Sequence, residues 1–205
     1  MSVLVFGALN IDHVYQVHHL VRPGETLSST AYSRNCGGKA LNQSIALARA
    51  GLSPFLAGAV GMDGRFLLDL LIREGVDIKY VRCYEDMPSG HAMIQVDSNG
   101  ENCILLFGGA NQAITPSNVA DTINGFSGDD WVVLQNEINR TGEIAMRAKE
   151  KGMRVVWNPS PIPGDWSMVP ASFLDMLILN EVEGRAFCKT AEPEEQMHKL
   201  REAYI

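Results

Sequence analysis

The chain has 205 residues, is 46% hydrophobic and 20% charged, and carries 17 Lys and Arg against 24 Asp and Glu, a formal net charge of −7. This make-up, with a mean hydropathy near zero, belongs to a folded globular chain rather than a disordered one, and at about 150 residues per domain it allows one or two domains. An acidic chain lacks the basic patch that nucleic-acid binding needs, no apolar run reaches the ~20 residues of a membrane-spanning helix, and the N-terminus lacks a signal-peptide pattern. The four isolated cysteines, Cys36, Cys83, Cys103 and Cys188, show no zinc spacing and fit a reduced, cytoplasmic setting.

In chain order, Val3 to Leu9 is an apolar run that reads as a buried strand of a mostly parallel sheet. Asp12 to Val17 is mixed, Arg22-Pro-Gly-Glu25 is a turn, and Ser28 to Arg34 is polar and β-prone. Gly37-Gly38 opens a helix to about Ala50, its apolar face marked by Leu41, Ile45 and Ala48, with Gly51 where a C-terminal cap belongs. Phe55 to Val60 is the next strand, and Phe66 to Glu74 a helix stopped by Gly75. Val81 to Tyr84, His91 to Asp97 and Cys103 to Phe107 are three short strands without helical periodicity. With residues 13–35 they suggest a small separate sheet, and Asp97-Ser-Asn-Gly100 is a hairpin turn within it.

The alternation of strand and helix then resumes. Thr115-Pro116 opens a helix to about Ile123. Trp131 to Gln135 is a strand, Thr141 to Lys151 a helix, Arg154 to Trp157 a strand ending in Asn158-Pro-Ser-Pro161, and Met176 to Leu179 a strand. A helix follows from about Glu181, and Glu194 to Tyr204 is a last amphipathic helix with Met197, Leu200 and Tyr204 on one side. The pattern is that of a layered α/β fold.

Two segments carry candidate chemistry. Asn10-Ile11-Asp12 follows the first strand, and ligands of open α/β sheets bind beyond carboxyl ends of strands. An amide beside a carboxylate suits the vicinal hydroxyls of a sugar, and equally suits a turn in which both side chains cap the local backbone. Gly37-Gly38-Lys39-Ala40-Leu41-Asn42 starts a helix, where free N–H groups, Lys39 and Asn42 suit an anionic or polyhydroxyl ligand; a plain Gly-rich turn with a solvated Lys fits as well. Neither GxxxxGK[ST] nor GxGxxG occurs, which weighs against a Walker-type NTPase and an NAD enzyme.

The stretch Gly37-Gly38, Asn42, Ser44, Gly51, Gly61 matches the first signature of the ribokinase-like (pfkB) carbohydrate kinases. Gly7-Ala-Leu-Asn-Ile-Asp12, Pro23-Gly-Glu-Thr26, Val60-Gly-Met-Asp-Gly64, Gly109-Ala-Asn111, Asn158-Pro159 and Asn180-Glu-Val-Glu183 also resemble that family, over nearly the whole chain and on the ribokinase side of it. The resemblance implies a three-layer α/β sandwich spanning 1–205, with residues 13–35 and 80–110 as inserted β-lid segments. It further implies a kinase moving the γ-phosphate of ATP to a primary hydroxyl of a ribose-like sugar, with Mg²⁺. Asn10, Asp12, Gly38, Lys39, Asn42 and Glu137 would line the sugar site. Asn180 would meet the ATP phosphates, Glu183 would organise Mg²⁺ through water, and the lid would pair two copies into a homodimer.

The family's second signature, Asp-Thr-x-Gly-Ala-Gly-Asp, is absent from these 205 residues. It holds the general base and the anion hole, and most of the adenine and monovalent-cation (K⁺) sites lie beside it. The expectation is therefore a C-terminally truncated kinase whose catalytic Asp lies beyond Ile205, or else a non-catalytic sugar-binding module. Leu41, where the family commonly has Ala, is expected to narrow the sugar pocket.

Overall fold

A computed structural model describes residues 1–204, leaving out the Ala203 and Tyr204 side chains. The strands are β1 (Val3–Phe6), β2 (Asn10–Gln16), β3 (Ala31–Gly37), β4 (Phe55–Gly61), β5 (Asp77–Tyr84), β6 (Gly90–Val96), β7 (Asn102–Phe107), β8 (Trp131–Leu134), β9 (Arg154–Trp157) and β10 (Met176–Leu177). The helices are α1 (Lys39–Arg49), α2 (Arg65–Arg73), α3 (Pro116–Asn124), α4 (Thr141–Glu150), α5 (Glu181–Cys188) and α6 (Pro193–Tyr204). Six strands form an all-parallel sheet in the order β10-β9-β8-β1-β4-β5, and a second sheet has the order β3-β2-β6-β7. The fold is α/β with a small second sheet, as expected.

The continuous apolar strands of the large sheet serve two cores, because successive side chains point to opposite faces. Leu4 and Phe6 pack with Val132, Leu134, Val155 and Trp157 against Val119 and Ile123 of α3 and Ile144 and Ala148 of α4. Val5, Leu56 and Val60 face Leu41 and Ile45 of α1 and Leu67 and Leu71 of α2. All six strands run the same way, so their carboxyl ends share one edge of the sheet.

Several boundaries differ from the sequence pattern. Pairing of β1 stops at Phe6, and the chain crosses through Gly7–Leu9 into the second sheet at Asn10. Gly7 lies where a Cβ would come 1.8 Å from Oε1 of the fully buried Gln135. The mixed segment after Asp12 is a central strand of the second sheet, bonded on one side to β3 and on the other to β6. The expected lid segment 80–110 needs a correction at its start. Residues 77–84 form β5, which pairs with β4 and extends the large sheet. The reason is burial: Tyr80 sits against Phe55 and Phe126 at ring distances of 6.2 and 5.5 Å, a contact only the large sheet offers. The strand expected to reach Leu179 ends at Leu177. In α6, Met197 is exposed and Leu200 half-buried, while the expected place of Tyr204 on that face lies outside the described side chains. All four cysteines are free; Cys83 and Cys103 are exposed.

Candidate functional site

The candidate residues gather at the carboxyl edge of the large sheet, where it passes into the second. Asn10 and Asp12 lie on β2 beyond β1, Glu137 follows β8, Asn158 follows β9 and Asn180 follows β10. A cleft of about 200 Å³ opens there, lined by Asn10, Asn111, Asn136 and Glu137 and walled by Leu106, Phe107 and Pro161.

Gly38 makes the crossing possible. It is the N-cap of α1 with φ 96° and ψ 133°. A Cβ there would meet the Ala8 carbonyl oxygen at 2.4 Å and the Asn10 nitrogen at 2.8 Å, so only glycine fits. Its neighbour Gly37 lies under Asp12, whose carboxylate occupies the space of the missing Cβ. Burial is the largest influence on Asp12 and pushes its carboxyl above the ordinary value, against an opposing effect of His13.

The first turn of α1 contains no acidic residue. The negative charge there comes from far along the chain. Glu137 Oε2 accepts from the Lys39 backbone N–H at 2.9 Å, and its Oε1 lies 3.7 Å from Lys39 Nζ. The Glu137 side chain is 8% exposed against 36% for Lys39, so the pair has one buried end and one wet end. Burial dominates and raises the Glu137 pKa, although both Lys39 contacts favour the carboxylate.

Asn10 is held by Asn111, which in the sequence stands out only as the end of the Gly109-Ala-Asn111 motif. Asn111 Nδ2 donates to Asn10 Oδ1 at 2.8 Å, while its amide also bonds both backbone groups of Leu9. A second polar set, also unassigned from sequence, spans the sheet edge. Gln135 donates to Gln43, Gln43 to Asn158, and Asn158 to the Ile178 carbonyl.

Asn10, Asp12, Gly38, Lys39 and Glu137 are thus brought together. Asn42 is not: it is exposed and lines a groove with Cys36, Leu41 and Leu70 between α1 and α2. Leu41 is 1% exposed and belongs to the core beside Val5, so it does not narrow the cleft; at its place in the helix it faces the sheet.

Asn180 and Glu183 form a reciprocal capping box on α5. Glu183 N–H donates to Asn180 Oδ1 at 2.8 Å, and Asn180 N–H to Glu183 Oε2 at 2.9 Å. Glu183 is 4% exposed. Among the described residues no group of three or more His, Cys, Asp or Glu is arranged to hold a metal, and no helix is long and apolar enough to cross a membrane.

An open parallel sheet with a polar cleft at its carboxyl edge and a small sheet over that edge defines an α/β ligand-binding enzyme class. The family model of the pfkB family carbohydrate kinases matches residues 1–204, and the chain belongs to that family. It is 32% identical over 201 residues to a ribokinase of Haemophilus influenzae, covering 95% of this chain and 65% of that protein. The structure of a Cryptococcus neoformans ribokinase in complex with ADP superposes with a TM-score of 0.83 at 32% identity, over 97% of this chain and 65% of that one. An Arabidopsis thaliana ribokinase complexed with ribose and ATP gives 0.82 at 26% identity, over 99% and 68%. The chain therefore spans about two thirds of the length of these relatives.

Proposed function

We propose that this chain carries the sugar-binding part of an ATP-dependent kinase that phosphorylates a primary hydroxyl of a ribose-like sugar. The observation that carries the proposal is the seat of Glu137. A carboxylate already satisfies the N-terminus of α1, so that helix start does not call for an anionic ligand. What remains around it is a mixed set of donors and acceptors: the Asn10 amide, the Asp12 and Glu137 carboxylates and the Lys39 ammonium. Such a set matches a neutral ligand with several hydroxyls, each of which donates and accepts. The Haemophilus and Arabidopsis relatives, one named a ribokinase and the other solved with ribose and ATP, support the same choice.

In this reading Asp12 and Glu137 accept from sugar hydroxyls, Lys39 donates, and the backbone at Gly38 lies close enough to touch the ring because no side chain intervenes. ATP would supply the phosphoryl group, with Mg²⁺ neutralising its charge. Asn180 fits the phosphate end, since the capping bond uses its Oδ1 and leaves its Nδ2 as a donor. Glu183 would act toward Mg²⁺ through water, because its Oε2 is already held by the Asn180 amide. The second sheet would cover the sugar and pair with a second copy. Its support is the row Val14, Ile94, Ile104 across β2, β6 and β7, with Ile104 52% exposed.

The test is calorimetric titration of D-ribose into the chain, alongside an assay of ADP formation from ATP with D-ribose. Saturable ribose binding supports the proposal, and binding without ADP formation identifies this chain as a sugar-binding module. No binding of any pentose, hexose or nucleoside would overturn it.

A further inference from the structure

The Val60-Gly-Met-Asp-Gly64 turn lies at the far end of β4 and lines no part of the cleft, yet its aspartate is tied to it. Asp63 Oδ1 accepts from the Ser89 amide at 2.9 Å and from the Ser89 hydroxyl at 2.7 Å. The same hydroxyl accepts from the Gly61 N–H at 2.9 Å, and Ser89 is fully buried. Burial alone would raise the Asp63 pKa; the two Ser89 bonds, with Asp63's own amide and the nearby His91, together outweigh it and hold the carboxyl below its ordinary value. It is therefore a charged acceptor, whose bonds are the stronger kind.

Ser89 is the residue before β6, where the chain leaves the large sheet for the second one. The next residue, Gly90, is packed so closely that a Cβ would lie 2.0 Å from Asn111 Nδ2 and 2.5 Å from Asn10 Oδ1. A Cβ on Gly64 would lie 2.2 Å from the Ser89 hydroxyl, and one on Gly61 2.8 Å from the Ser89 nitrogen. Packing is thus close from Asp63 through Ser89 and Gly90 to Asn111 and Asn10, leaving no room for a side chain at Gly61, Gly64 or Gly90. Register carries it further, because Asn10 is opposite Gly90 and Asp12 opposite Ala92.

We propose that Asp63 and Ser89 are positioning residues for the sugar site: they lock the joint between the two sheets and so set where Asn10 and Asp12 stand. This deepens the sugar-kinase reading and rests on it for the ligand, while the joint itself is measurable without one. Both Ser89 bonds land on a single oxygen of Asp63, so Asp63→Asn can keep both of them with its amide oxygen, whereas Asp63→Ala keeps neither. Ser89→Ala removes the acceptor for Gly61 and one bond to Asp63 while leaving the backbone bond.

The experiment is amide hydrogen exchange on the full chain and its three variants, with D-ribose titration in parallel. We expect Asp63→Ala and Ser89→Ala to raise exchange at Ser89, Gly61 and the remote Leu9 amide, which donates to Asn111, at least tenfold, with the β8 amides unchanged. We also expect Asp63→Ala to weaken ribose binding about tenfold or more, with Asp63→Asn within threefold of the parent. If Asp63→Ala cannot be obtained folded, Ser89→Ala decides on the same readouts. Unchanged Leu9 exchange, or Asp63→Asn behaving as badly as Asp63→Ala in exchange, overturns the proposal. So does ribose affinity in Asp63→Ala equal to that of a ribose-binding parent. Should the parent bind no ribose, the ligand reading fails and the exchange results alone decide on the joint.

Discussion

Replacing Gly38 by alanine separates backbone strain from crowding at the one point where the chain must pass from sheet to helix beside the cleft. Gly38 and Gly51 flank α1 at its two ends and share nearly the same positive φ, 96° and 91°. Around Gly51 a new Cβ would meet nothing within 4 Å, whereas at Gly38 it would sit 2.4 Å from the Ala8 carbonyl oxygen. An alanine at 51 therefore bears only the φ penalty, roughly 1 kcal/mol. At 38 the strain in a region that side chains avoid costs about 1–3 kcal/mol. The methyl also falls more than about 1 Å short of the ~3.5 Å at which such atoms normally meet, and overpacking of this kind adds about 1–3 kcal/mol. The total is about 4 kcal/mol, a large part of the ~5–15 kcal/mol that holds a domain folded. At roughly 2–4 °C per kcal/mol for a chain of this size, thermal melting followed by circular dichroism should fall about 8–16 °C in Gly38→Ala and about 2–4 °C in Gly51→Ala. Two variants melting within about 3 °C of each other would refute the argument that Gly38 bears more strain and crowding than Gly51.

Glu137→Gln tests the cost of the buried carboxylate. Its raised pKa means that the folded state binds the proton more tightly than the unfolded one, so its contribution to stability falls as pH rises from the ordinary glutamate value through the raised folded one. The variant should lose that slope in urea midpoints measured across the window, and be no less stable than the parent at neutral pH while binding ribose poorly; an unaltered slope counts against the assignment. Asn180→Ala removes the α5 cap and should cost about 1 kcal/mol in urea unfolding; a loss below ~0.3 kcal/mol means that the Glu183 half of the box suffices. Ile104→Glu places a charge in the apolar row of the second sheet and should shift sedimentation from dimer to monomer. A parent that already sediments as a monomer ends the pairing proposal.

Long, periodic elements were legible because their patterns answer to a single cause. Leu41 and Ile45 repeat at helical spacing and meet one sheet face, while in α2 the turns marked by Phe66, Leu70 and Arg73 find the helix and its buried side proves to be Leu67 and Leu71. The helix ends at Gly51 and Gly75 announce themselves because both need positive φ. What was illegible is which sheet a strand joins. Asp77–Tyr84 carries a half-buried pattern that suits either sheet, and it is settled by Phe55 and Phe126, which lie 25 and 46 positions from Tyr80 in the sequence. The short strand ends at Phe6, Leu134 and Leu177 were overrun for a related reason. Apolar sequence continues past Phe6 and Leu177, whereas past Leu134 the polar Gln135 leaves the ladder to donate to Gln43 at the sheet edge.

The site shows the same division more sharply. Glycine pairs, Asn-x-Asp and a lysine at a helix start are local signals; they nominate Asn10, Asp12, Gly38, Lys39 and Asn42, and all but Asn42 stand together in the structure. Their partners are remote: Glu137, which only the family resemblance named, is 98 residues from Lys39, and Asn111, which it gave no role, is 101 from Asn10. Only these partners distinguish the ligand classes that the motif left open. A bare helix N-terminus with a lysine is an anion site by default. Once Glu137 fills that place with its own charge, a phosphate or carboxylate ligand would face a buried acid 2.9 Å from the amide it needs. A polyol meets no such opposition, because its hydroxyls can donate to Glu137 and Asp12 and accept from Lys39 at once. On the proposed sugar-kinase reading, selectivity for neutral sugars over sugar phosphates would rest on Glu137 rather than on the glycine motif. Removing the negative charge at the helix start with Glu137→Gln should narrow that preference, and competition of D-ribose 5-phosphate against D-ribose reads it directly. Equal discrimination in parent and variant would place the selectivity elsewhere.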